Sequence, residues 1–136
     1  MSRITPQFPP AQKVRTMRGS TEEKRYYKWL HLNCVCCLSG RIDIELAHTG
    51  GPAEGKGMSR KAALWTVLPL SKPLHHAEER NRREFWKNVG IPYPQHIEWA
   101  ERLYDHFTKQ DDPTALLADM QARANRAFLA QILEAR

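Results

Sequence analysis

The chain has 136 residues and a mass of 15.8 kDa, enough for one modest hydrophobic core and too little for two ordinary domains. Hydrophobic content of 41%, charged content of 26% and a mean hydropathy of −0.64, with no apolar run near the roughly 18 residues a spanning helix needs, exclude a transmembrane helix. The balance of 21 Lys+Arg against 15 Asp+Glu gives a net charge of +6 and a pI of about 9.5, the charge of a nucleic-acid binder.

That charge is uneven. Residues 1–28 hold seven basic residues against Glu22 and Glu23, a local +5, whereas residues 101–136 hold five basic against six acidic, a local −1. An anionic partner is therefore expected to meet the first two-thirds of the chain. The N-terminal stretch carries charge and prolines where a secretory signal needs an apolar core, so the chain reads as cytoplasmic.

Residues 1–19, with Pro6, Pro9, Pro10, Arg3, Lys13, Arg15 and Arg18 and little apolar periodicity, read as a flexible basic arm, leaving 20–136 as one domain. Ser20 and Glu23 form a capping-box pattern that opens a short helix from Thr21 to about Leu32, with Tyr26, Trp29 and Leu30 on one face. After a cysteine cluster and a Ser39–Gly40 turn, Arg41 to Leu46 alternates polar with apolar, the period of a half-buried strand that delivers His48. Thr49 to Gly57 holds four glycines and reads as a long functional loop. Leu64 to Leu70 is an apolar run read as a second strand ending near Pro69. Pro73 starts a helix that runs to about Val89 and stops at Gly90, and Pro94 starts another through about Thr108. Asp111-Asp112-Pro113 caps a last helix with Leu117, Met120, Ala124, Phe128 and Ile132 on one stripe, read as core or as a dimer face. Trp65 and Trp86 read as core aromatics.

Three residue sets carry chemistry. Cys34-x-x-Cys37 has the spacing at which two thiolates reach one tetrahedral Zn2+, with burial as small hydrophobes the competing reading. His48, at a strand end before a glycine-rich loop, is placed to act as a general base near neutral pH. His75 and His76 are adjacent near a helix start, so their side chains point about 100° apart and serve different tasks. The order strand, histidine, loop, strand, helix with a histidine pair is a ββα-metal arrangement, in which a histidine takes a proton from water beside a divalent cation.

The segment from Asn33 to about Ile91 resembles phage HNH endonucleases, most closely the Ref-like recombination-enhancement nucleases. The resemblance rests on Cys34 to Leu38, Glu45-Leu46-Ala47-His48, Gly55 to Lys61, Val67-Leu68-Pro69-Leu70, His75-His76, and Phe85-Trp86 before Gly90-Ile91. It implies an α+β fold: a small ββα-metal core at about 33–91 with a cysteine knuckle, flanked by an N-terminal helix and a helical C-terminal extension over 92–136. It also implies a phage-encoded, metal-dependent DNA endonuclease acting in a bacterial host cell. His48 would be its general base, Cys34, Cys37 and His75 would hold structural zinc, and His76 would hold the catalytic ion. The sequence departs from the pattern at Ser71, where the family has a third zinc cysteine, and at Leu64, commonly Asp; its further histidine has no counterpart here. Glu78 or Glu79 is then the nearest substitute ligand, Glu79 the one chosen, and carboxylates suit Mg2+ or Mn2+. A solvated helix face paired with Arg82 and Arg83 is the competing reading of those glutamates. Lys56, Arg60, Lys61, Lys72, Arg80, Arg82 and Arg83 are the expected phosphate contacts. Competing readings are a catalytically degenerate relative that binds nucleic acid, and a module binding a second copy or a recombination or replication protein through the C-terminal helices.

Overall fold

The computed structural model of the protein describes residues 21–50 and 64–134. The expected basic arm at residues 1–19, Ser20 of the capping box, the 51–57 part of the expected glycine-rich loop, and Lys56, Arg60 and Lys61 lie outside the described residues. The described chain is α+β, with six α-helices and one two-stranded antiparallel sheet. None of these helices is long and apolar enough to cross a membrane.

Helix α1 (Thr21–Asn33) buries Glu23, Tyr26 and Leu30 along one face, the i, i+3, i+4 repeat of a helix laid on a core. A turn follows in which the Gly40 N–H donates to the Cys36 carbonyl and the Cys36 N–H to the Arg41 carbonyl at 2.8 Å. Gly40 takes φ of 79° there, a left-handed conformation that glycine adopts without a Cβ clash. Because Arg41 is used to close this turn, strand β1 begins later than the alternation suggested, at Ile44–His48 rather than Arg41–Leu46. Ile42, read as inward-facing, is 84% exposed.

Strand β2 (Val67–Ser71) pairs with β1 from Ile44 opposite Ser71 to His48 opposite Val67. All five of its residues are buried, which is why the run reads as continuously apolar rather than alternating. Pro69 has no N–H to give, but its carbonyl accepts from Cys37 N–H at 3.0 Å, so the cysteine turn seals the outer edge of β2. Leu64–Thr66, expected as the start of this strand, is a 3-10 turn instead. It leaves Trp65 39% exposed, so of the two tryptophans read as core only Trp86 is buried there.

The single helix expected to end at Val89 is two helices, α2 (Lys72–Arg80) and α3 (Arg82–Val89). Asn81 breaks them: its backbone is extended at φ −158°, ψ 83°, and its side chain accepts from the Glu84 N–H as the N-cap of α3. Gly90 closes α3 with φ of 93°, its N–H reaching the Trp86 and Lys87 carbonyls. Helix α4 (Gln95–Lys109) follows, and the last stripe is likewise divided, into α5 (Thr114–Arg123) and α6 (Arg126–Leu133), with Asn125 capping α6 through the Phe128 N–H. Leu116, Leu117, Met120, Ala124 and Leu129 join one cluster with Tyr26, Leu30, Leu68, Leu70 and Trp86. The C-terminal stripe is thus packed within the chain. Helix α4 lies against the Leu64–Thr66 turn and α6 against α2 and α3.

Candidate functional site

His48 is the last residue of β1, half-buried, and the backbone just beyond it is anchored. Thr49 gives both its N–H, at 3.0 Å, and its hydroxyl, at 2.7 Å, to the Thr66 carbonyl. On the α1 side, the Tyr27 hydroxyl lies 2.7 Å from His48 Nε2, with the two rings edge-on at 5.9 Å. The same hydroxyl donates to Glu23 Oε2 at 2.8 Å, and Glu23 is only 5% exposed. Glu23 and Tyr27 are four residues apart, hence neighbours on one helix face.

Helix α2 runs back along the hairpin on its other side. His75 Nδ1 meets Glu45 Oε1 at 2.8 Å, and its Nε2 lies 3.4 Å from Glu79 Oε2. Residues three apart on a strand face opposite ways, so Glu45 meets α2 while His48 meets α1. Arg82, just past the end of α2, donates from Nε to Glu78 Oε2 at 2.6 Å and from a terminal nitrogen to the Gly50 carbonyl at 3.4 Å. The Trp86 indole N–H donates to the same Glu78 oxygen at 3.1 Å.

The structure therefore places the expected residues in three groups. His48 is brought to Tyr27 and Glu23. His75 is brought between Glu45 and Glu79, while His76, its ring centroid 6.3 Å away, is exposed on α2. Glu78 is fully buried, which corrects its reading as part of a solvated helix face. Glu79 remains on the exposed face with its side chain 57% exposed. Of the expected phosphate contacts within the described residues, Lys72, Arg80 and Arg83 are exposed, but Arg82 is turned inward onto Glu78 and Gly50.

Cys34, Cys36 and Cys37 are free and buried. Burial, with the Asp112 charge adding to it, pushes the Cys34 thiol up to about 12, and burial raises the Cys37 thiol as well. A structural zinc needs four donors. Here His75 is engaged by two carboxylates on opposite ring nitrogens, and Ser71, where the resemblance led to the expectation of a third cysteine, presents a buried hydroxyl with no hydrogen-bond partner among the described residues. Among those residues no group of three or more His, Cys, Asp or Glu converges as an ion site. A hard divalent cation is less demanding, since Mg2+ commonly takes one or two protein ligands and completes its shell with water and substrate phosphate. His76 is exposed on α2, and Glu79, its side chain 57% exposed, has one oxygen 3.4 Å from His75 Nε2.

Tyr27, Glu23 and Glu45 were missed by sequence reasoning. The Glu23/Tyr27 spacing was a visible signal, but only the contact of Tyr27 with His48, 21 residues away, gives it a target. No protein-family model, curated protein or solved structure matches this chain.

Proposed function

We propose that the chain is a small metal-dependent DNA endonuclease of the HNH type, phage-associated, hydrolysing phosphodiester bonds with His48 as general base. The observation that carries this reading is a half-buried histidine at the end of β1, in a hairpin whose second strand runs directly into a helix bearing His75 and His76. A neutral imidazole can accept a proton near neutral pH, which suits removal of a proton from water attacking phosphorus. Exposed Lys72, Arg80 and Arg83, with Lys56, Arg60 and Lys61 between the two strands in sequence, would bind the phosphates flanking the scissile bond. A divalent cation, Mg2+ or Mn2+, belongs to this proposal with His76 and Glu79 as its ligands; bound there, it would supply charge stabilisation at the phosphate and leaving oxygen.

A base and a ligand fail differently. His48→Ala is expected to bind DNA and metal nearly as before and to cut about 10^2- to 10^4-fold more slowly. His76→Ala is expected to need much more metal for the same rate. Plasmid nicking with Mg2+, Mn2+, Ni2+ or Zn2+, with DNA binding measured in parallel, checks both; cleavage by His48→Ala at the wild-type rate sinks the assignment. A relative that binds DNA without cutting is the competing reading, favoured by the lack of a converging ligand group among the described residues. Wild-type protein that binds DNA but nicks nothing under any of the four metals establishes it.

A further inference from the structure

We propose that Tyr27, backed by buried Glu23, is a positioning residue that fixes His48 as the tautomer protonated on Nε2, making Nδ1 the atom that takes the proton from water. This inference rests on the nuclease reading for its purpose, but its geometry stands on its own. A carboxylate has no proton to give, so the 2.8 Å contact between Tyr27 and Glu23 Oε2 commits the single phenolic proton to Glu23. The Tyr27 oxygen, 2.7 Å from His48 Nε2, can then serve that nitrogen only as an acceptor. Nε2 must carry hydrogen, and in a neutral imidazole the other nitrogen is then the basic one.

The direction of the chain, Nε2–H to Tyr27 oxygen and Tyr27 O–H to Glu23, follows from the hydroxyl donating to Glu23 Oε2. The proton balance closes without moving any proton along this chain. Water loses H+ to His48 Nδ1, the remaining hydroxide forms the bond to phosphorus, and the ester oxygen leaves. The new imidazolium keeps its Nε2–H on Tyr27, one link from the Glu23 negative charge, which favours it as base catalysis requires.

The test reads tautomer and rate separately. Nitrogen-15 NMR of the full chain, with histidines labelled and His48 assigned by its loss in His48→Ala, is expected to show Nε2 protonated and Nδ1 bare in the neutral wild-type ring. Tyr27→Phe retains the edge-on ring but removes the acceptor, so a mixture of both tautomers is expected, with cleavage slowed roughly 10- to 100-fold, as when other histidine-orienting partners are lost, and DNA affinity unchanged. Glu23→Gln, which can offer either an acceptor or a donor to the hydroxyl, is expected to give a mixture too. A His48 ring protonated on Nδ1 in the wild type, or tautomer populations unaltered by Tyr27→Phe in a folded variant, overturns the proposal. Failure of the nuclease reading appears differently, as a wild-type protein with the expected tautomer and no cleavage.

Discussion

Glu78 and Arg82 form an ion pair whose two ends have very different access to water. Glu78 is fully buried with an indole N–H as its other donor, whereas the Arg82 side chain is 29% exposed. Breaking such a pair costs most when the charge left behind cannot be solvated. Arg82→Ala leaves the buried carboxylate with Trp86 alone and is expected to destabilise by about 3–5 kcal/mol. Glu78→Gln leaves a guanidinium that can turn outward and keeps an acceptor for Trp86, so about 1–3 kcal/mol is expected. Urea denaturation of the two variants checks the order, and a larger loss for Glu78→Gln would show that the pair is not organised by burial. This is also where the sequence stops being informative. A glutamate four residues before an arginine looks the same on a wet face or a dry one; Glu78 is dry because α3 turns at Asn81 and brings Trp86 over it. The same non-local cause hides Tyr27: its spacing from Glu23 is local, but its contact with His48 spans 21 residues.

Among the elements, those defined by a local signal were legible and those defined by a break were not. The helix from Thr21, the Gly90 stop and the order helix, strand, strand, helix follow from periodicity and turn residues close in sequence. The stretch from Pro73 to Val89 and the stripe after Pro113 each read as one continuous helix, because helical spacing carries through breaks of only one residue (Asn81) and two residues (Ala124 and Asn125). Asn81 closes α2 and caps α3, and Asn125, next after the Ala124 that closes α5, caps α6; asparagine does well at an N-cap and poorly in a helix interior. Helix α5 begins differently. Asp112 accepts from the Thr114 hydroxyl at 2.6 Å and from the Thr114 N–H at 3.0 Å, and these two bonds hold its carboxyl below the usual carboxylate range. A carboxylate with a lowered folded-state value stabilises above its ordinary value, and that contribution disappears as pH falls through the folded value. Asp112→Ala is therefore expected to lower the Tm by a few degrees at pH 7 and to converge on the wild type as the pH drops below the carboxylate range. Melting curves of both proteins from pH 7 downward check this; a gap that stays constant to pH 2 would mean that Asp112 acts by some route other than its charge.

For the whole molecule the asymmetry of charge is the feature that connects fold to partner. Arg3, Lys13, Arg15 and Arg18 put four positive charges in residues 1–19, with no acidic residue in that stretch to offset them. Lys72, Arg80 and Arg83 supply exposed charge from α2 and α3. Phosphate contacts release counterions, so each engaged charge contributes roughly 0.9 to the slope of log affinity against log salt on duplex DNA. Deleting residues 1–19 is expected to flatten that slope by up to about 3.6 if all four charges are engaged, with affinity falling most at low salt. The melting temperature is expected to stay near the wild-type value, since the sequence reads residues 1–19 as an arm with little apolar periodicity. Lys72→Ala with Arg83→Ala would lower the slope further by up to about 1.8 in either background, because contacts at separate phosphates add. Binding isotherms on one duplex across a salt series, for the full chain, the deletion and the double variant, check these expectations. A slope unchanged by the deletion shows that the arm stays off the DNA, and one unchanged by the double variant moves the DNA away from the face that carries α2.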